Sequence, residues 1–137
     1  MITYEGFHSE THSVQTKDGY ILKMHRILSK NMNPTKLPIL FMHGLSSTSA
    51  VFLLQGAKKS LPYLLAKEGY DIWLGNNRGN TYSMKHTNYG VDTTSFWDFS
   101  FHELGIYDLP AKIDCILNAT NHTKLIYVGH SQGTTEV

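Results

Sequence analysis

The stretch Leu125-Ile126-Tyr127-Val128-Gly129-His130-Ser131-Gln132-Gly133 decides how this chain is read. Four apolar residues end at a glycine, and the next four positions complete the pattern Gly-x-Ser-x-Gly. Behind a buried strand, that pattern marks a serine held on a sharp strand-to-helix turn, with small neighbours letting its Oγ stand above the sheet edge. The competing reading is an ordinary turn serine. If Ser131 is a nucleophile, attack on an ester carbonyl creates an oxyanion that needs two preorganised N–H donors. One is expected from Gln132, the residue after the nucleophile, and the other from Leu45, in the His43-Gly44-Leu45 turn after an earlier strand. By itself, without Ser131, His43-Gly44 reads as a plain strand end.

Working outward, the elements alternate. Ser13 to Thr16 and Tyr20 to Ile27 read as a hairpin around Lys17-Asp18-Gly19, where the glycine supplies a positive φ. Leu37 to Met42 reads as a strand buried on both faces. Ser60-Leu61-Pro62 opens a helix with Ser60 as cap and Gly69 as its close. Asp108-Leu109-Pro110 repeats that opening, and Leu109, Ile113, Ile116 and Leu117 form one apolar face. Strands follow each helix, at Tyr70 to Leu74 and Leu125 to Val128. This order predicts one α/β domain over residues 1–137, a mostly parallel sheet flanked by helices. Gly75 to Ser100 has no period and reads as a long surface excursion.

Composition excludes several classes. Twelve Lys and Arg against eleven Asp and Glu leave no field to attract nucleic acid. No apolar run reaches the ~20 residues of a membrane span, and the N-terminus lacks the pattern of a signal peptide. Eight histidines and the single Cys115 show no metal-ligand spacing, so neither metal nor cofactor is expected. Gly75-Asn76-Asn77-Arg78-Gly79 lacks the spacing of a phosphate loop, and Arg78 is expected to pin that loop through carbonyls or a carboxylate. Cys115 is expected to pack. Asn118 and Asn121 each begin an Asn-x-Thr pattern, a glycan acceptor only in a secreted chain.

The motifs Thr16-Lys17-Asp18-Gly19-Tyr20, Met42-His43-Gly44-Leu45, Gly69-Tyr70-Asp71-Ile72-Trp73-Leu74-Gly75-Asn76, Arg78-Gly79-Asn80-Thr81-Tyr82-Ser83, Tyr107-Asp108-Leu109-Pro110-Ala111 and Gly129-His130-Ser131-Gln132-Gly133-Thr134 together resemble the animal acid lipases, the gastric and lysosomal branch of the α/β-hydrolases. The resemblance covers nearly the whole chain; Phe52 and Ala57 depart from it, where Trp and Pro are usual. It implies a serine hydrolase of triacylglycerols or cholesteryl esters, acting at a lipid interface in lipid catabolism, and points to no specific protein partner. Ser131 would be the nucleophile, with Leu45 and Gln132 as oxyanion donors. It also implies a secreted or lysosomal parent protein. In this family a lid-bearing cap, later strands and the triad Asp and His follow the nucleophile. The chain is therefore expected to be an N-terminal part truncated after the nucleophile turn, without cap or C-terminal strands. Alone it is expected to expose an apolar sheet edge and to be inactive. The alternative is a non-catalytic remnant or a lipid-binding interaction protein.

Overall fold

The computed structural model describes all residues, 1–137. Strands β1 (His8–Gln15) and β2 (Tyr20–Leu28) form an antiparallel hairpin with His8 opposite Leu28 and Gln15 opposite Ile21. Gly19, at φ 99°, makes the turn, and Thr16 locks it by accepting the Tyr20 N–H at 2.9 Å and donating its hydroxyl to Asp18 at 2.6 Å. β1 starts five residues earlier than Ser13 because pairing with β2 holds it. Its side chains are half-buried or exposed, so it carries little hydrophobic signal of its own.

Next come β3 (Ile39–Met42), helix α1 (Leu61–Lys67), β4 (Ile72–Gly75), the short β5 (Lys85–His86), α2 (Phe101–Glu103), α3 (Leu109–Thr120) and β6 (Ile126–Gly129). The sheet order is β1-β2-β4-β3-β6, with β5 added to β2. β4, β3 and β6 are parallel, while the hairpin joins antiparallel, so the sheet is mixed. Period-two alternation sends Ile39 and Phe41 to one face, where Tyr63 and Ala66 of α1 cover them with Ile27, Ile72 and Leu74. Leu40 and Met42 go to the other face, against Leu109 and Ile116 of α3 with Met24 and Trp73. Cys115 packs against this second cluster.

Two expected caps do not form. Ser60 precedes α1, but its hydroxyl makes no cap bond; the Ser60 carbonyl instead accepts from Tyr63 and Leu64, and Pro62 sits in the first turn. Gly69 does close α1, at φ 91° with its N–H on the Ala66 carbonyl. Asp108 does not cap α3 because Arg78 takes its carboxylate. Helical structure starts earlier, at a capping box in which Ser100 and Glu103 exchange bonds, and reaches α3 through a wide turn over Leu104–Asp108.

The stretch after β4 runs over the surface as expected between residues 84 and 95, but it is anchored by buried residues. Asn76, Ser83 and Phe96 are fully buried, and Arg78 sits at the centre of the segment. Its Nε and Nη2 donate to Asp108 Oδ1 at 2.8 and 2.6 Å, and its backbone N–H reaches Asp108 Oδ2 at 3.0 Å. Nη1 and Nη2 also grip Asp18 at 2.6 and 2.9 Å, and the guanidinium lies 3.8 Å from the Tyr20 ring centroid. Burial works against its charge, but the two carboxylates win and raise its pKa. One residue thus ties the hairpin turn, the β4 loop and the start of α3.

Arg78→Met should destabilise the protein by about 3–5 kcal/mol, because it strands Asp108 charged and fully buried. Chemical denaturation checks this. Asp18 is half-exposed; burial opposes its charge, but Arg78 and Thr16 hold its pKa below the ordinary 3.8. A depressed folded pKa contributes stability above 3.8 that is lost as pH falls through the folded value. Asp18→Asn should therefore flatten the acid end of a stability-versus-pH curve below 3.8 and lower the neutral plateau.

Candidate active site

Strand register assembles the site. Met42 lies level with Gly75 on one side and Gly129 on the other, so the three parallel strands end together. Their following loops, at His43-Gly44-Leu45, Asn76-Asn77-Arg78 and His130-Ser131-Gln132, emerge side by side at the carboxyl edge. Ligand sites in open α/β sheets lie at that edge.

Ser131 has φ 55°, a left-handed conformation that costs a non-glycine residue on the order of 1–3 kcal/mol. Neighbouring bonds hold it there. The His130 N–H donates to the Met42 carbonyl at 3.0 Å, the Gly133 N–H to the His130 carbonyl at 3.0 Å, and the Thr134 hydroxyl to the Ser131 carbonyl at 2.6 Å. The Tyr127 hydroxyl closes the turn onto the Gly133 carbonyl.

The flanking glycines are steric requirements. A Cβ on Gly129 would stand 2.6 Å from the Gly133 carbonyl oxygen, and one on Gly133 would stand 2.6 Å from that of Met42. Gly44 is equally constrained, since a Cβ there would meet Ser131 Cβ at 2.9 Å. The Gly44 backbone therefore rests directly against the serine. Ser131 itself is exposed, and its Oγ takes part in none of the hydrogen bonds of the structure.

Leu45 follows, three-quarters exposed, and Ser46 takes a second left-handed conformation at φ 53°. The Leu45 N–H has no acceptor. Gln132 lies in the first turn of a 3₁₀ segment over Ser131–Thr134, where a leading N–H has no intrahelical partner. Both residues line one cleft of about 540 Å³, with Met84, Trp97, Phe99, Phe101 and Leu104 as its other apolar walls. The structure thus brings Leu45 and Gln132 together, with Ser131 against Gly44.

Beneath the loops lies a polar layer. His43 is buried, its Nδ1 2.8 Å from the Gly44 carbonyl, while its Nε2 faces the Asn77 N–H at 3.2 Å and Asn80 Nδ2 at 3.1 Å. Both ring nitrogens are thus occupied away from Ser131. Asn76 accepts the Ser49 N–H at 2.9 Å and donates to the Lys23 carbonyl at 3.1 Å. Lys112, without exposed surface, donates to Asn77 Oδ1 at 2.6 Å, and Asn77 donates to Glu136 at 2.6 Å. Burial lowers the Lys112 pKa and raises that of Glu136.

Lys112 lies outside every motif, and the motifs that contain Asn76, Asn77 and Asn80 do not show what these side chains contact. Lys112 is three residues after Leu109 and four before Ile116, so helical spacing does put it on the apolar stripe. Asn118 and Asn121 are exposed at the far end of α3, and Asn121 ends that helix at φ 55°. No helix is long and apolar enough to cross a membrane.

Residues 1–56 match the family model for a partial alpha/beta-hydrolase lipase region, and residues 38–137 match that for the alpha/beta hydrolase fold. The chain is 53% identical over 135 residues to Lipase 1 of Drosophila melanogaster, covering 98% of this chain and 30% of that protein. It is 50% identical to gastric triacylglycerol lipase of Bos taurus and 46% to lysosomal acid lipase/cholesteryl ester hydrolase of Homo sapiens, each covering 98% of this chain and 35% of the relative. The chain thus spans about a third of the length of these relatives. Among solved structures, an esterase from Pyrococcus furiosus superposes with TM-score 0.68 at 19% identity, over 99% of this chain and 46% of that one. Epoxide hydrolase A from Mycobacterium thermoresistibile gives 0.58 at 18%, over 94% and 33%. Two chemistries on one framework mean that the fold does not choose the reaction.

Gly133→Ala should cost about 1–3 kcal/mol, because its methyl group meets backbone that cannot swing aside. Thermal melts of the variant beside wild type measure this.

Proposed function

The chain belongs to the α/β-hydrolase fold family and, within it, to the acid lipases; from this premise we propose that residues 1–137 form the nucleophile-bearing part of a serine hydrolase of neutral lipid esters. The observation that carries the reading is Ser131 on its left-handed turn, against Gly44, between the two loops whose Leu45 and Gln132, with free N–H groups, line a cleft with apolar walls. Triacylglycerols and cholesteryl esters are the substrate class, an inference supported by the names of its relatives. The apolar walls suit acyl chains.

In this mechanism Ser131 Oγ adds to the ester carbonyl carbon as its proton passes to a base. The Leu45 and Gln132 N–H groups receive the charge that develops on the carbonyl oxygen. Collapse of the tetrahedral intermediate expels the alcohol, protonated by the same base, and water then hydrolyses the acyl-enzyme. His43 cannot be that base, since its nitrogens face Gly44, Asn77 and Asn80. The base and its orienting carboxylate come from outside these 137 residues. Residues 1–137 alone should then turn over about 10⁴–10⁶ more slowly than the complete enzyme. The parent protein is secreted or lysosomal, and the exposed Asn118 and Asn121 suit glycan acceptors there.

The experiment treats the full natural gene product with a fluorophosphonate ester and locates the adduct by mass spectrometry. Labelling at Ser131, with hydrolysis of a short-chain chromogenic ester abolished in Ser131→Ala and retained with a chelator, is expected. Labelling elsewhere, or an active Ser131→Ala, would refute the reading. A protein that takes no label and turns over no ester would instead be the non-catalytic remnant.

A further inference from the structure

We propose that His43 is a positioning residue: its neutral imidazole, held as the Nδ1–H tautomer, fixes the direction of the Gly44–Leu45 peptide and so aims the Leu45 N–H. The inference rests on the oxyanion role given to Leu45 above and identifies what holds that donor in place.

Both ends of the ring require the same tautomer. At 2.8 Å from Nδ1 stands the Gly44 carbonyl oxygen, which can only accept, so Nδ1 carries the proton. The Asn77 backbone N–H, 3.2 Å from Nε2, can only donate, so Nε2 is a bare acceptor, and Asn80 Nδ2 adds a second donor at 3.1 Å. Every peptide bond in the chain is trans, and a trans peptide points its N–H opposite its carbonyl. Pinning the Gly44 carbonyl on the buried imidazole therefore turns the Leu45 N–H to the other side. Leu45 lines the cleft together with Gln132, and its N–H has no acceptor within the chain. The same peptide begins at Gly44, whose backbone rests on Ser131.

The arrangement also resists acid. Charging the ring would place a proton on Nε2 against two donors that have nowhere to turn. The charges around it do not help: Lys112 of α3 holds Asn77 from behind, Glu136 shares the Asn77 amide, and Arg78 is consumed by Asp18 and Asp108. Burial keeps the imidazole pKa below its ordinary 6.5 against the bond to the Gly44 carbonyl, which favours the charged ring, and the Lys112 charge adds a smaller push in the same direction as burial. The loop should therefore keep its shape to lower pH than a free imidazole would allow.

The test compares two isosteres in the full natural gene product. In His43→Asn the side-chain amide can still donate near the place of Nδ1, whereas in His43→Gln it can only supply an acceptor near that of Nε2. His43→Gln should lose kcat on the order of 10²-fold, the cost of one oxyanion donor, with KM nearly unchanged, and His43→Asn should lose under about 10-fold. Equal losses in the two variants, or a loss carried by KM, would overturn the proposal. Should the variants fail to fold, ¹⁵N NMR of histidine-labelled wild type decides: a neutral Nδ1–H ring at about pH 7 is expected, and an Nε2–H or doubly protonated ring there refutes it. Ser131→Ala, run in parallel, separates the readings. If it stays active, the nucleophile assignment fails; if it is inactive while the two His43 variants match, this inference alone fails.

Discussion

The lateral register of three short parallel strands is the constraint on which the rest depends. Met42, Gly75 and Gly129 stand level, and the loops that carry Leu45, Arg78 and Ser131 begin directly beyond them. Because strand side chains alternate with period two, a slip of one residue would exchange Ile39 and Phe41 with Leu40 and Met42 between the two faces. Those faces are packed by different helices, α1 and α3, so the slip is opposed by the whole core. The alignment of the His43, Asn76 and Ser131 loops is thus inherited from hydrophobic packing at a distance from the site.

Close backbone approach comes next. Gly44, Gly129 and Gly133 bring the turns after β3 and β6 nearer than any side chain would allow, and in those turns Ser46 and Ser131 hold left-handed conformations. Strain of this kind persists only where its surroundings over-determine it. Here the carbonyls of Met42, His130 and Gly133 all accept bonds from the turn around Ser131.

Under the turns, polar groups replace the usual apolar packing. Arg78, Asp108, Asn76, Asn77 and Lys112 are buried, and each finds partners, so their desolvation is offset by charge-assisted or bidentate bonds. Such a layer does not raise stability above that of an apolar core. It confers direction: an amide or imidazole with each donor matched to one acceptor has one orientation, whereas a leucine has several.

The sequence by itself determined the alternation of strands and helices, the hairpin turn at Gly19, the closing Gly69, and the motif around Ser131. These rest on local rules: period two against period three and a half, φ restrictions, and the spacing of small residues. Family membership was also legible, because the motifs recur along nearly the whole chain. Only the tertiary structure decided that Asp108 would abandon its helix for Arg78, that Asn76, Arg78, Ser83 and Phe96 would be buried, and that Lys112 would reach under the site. Capping rules treat a helix end in isolation, and Asp108 was claimed by a residue 30 positions away. Likewise nothing local to His43-Gly44 reveals that Asn77 and Asn80, on a different strand's loop, select its tautomer. Pairings between distant residues come into being when the sheet forms, so a pattern read along the chain holds their ingredients without their contacts.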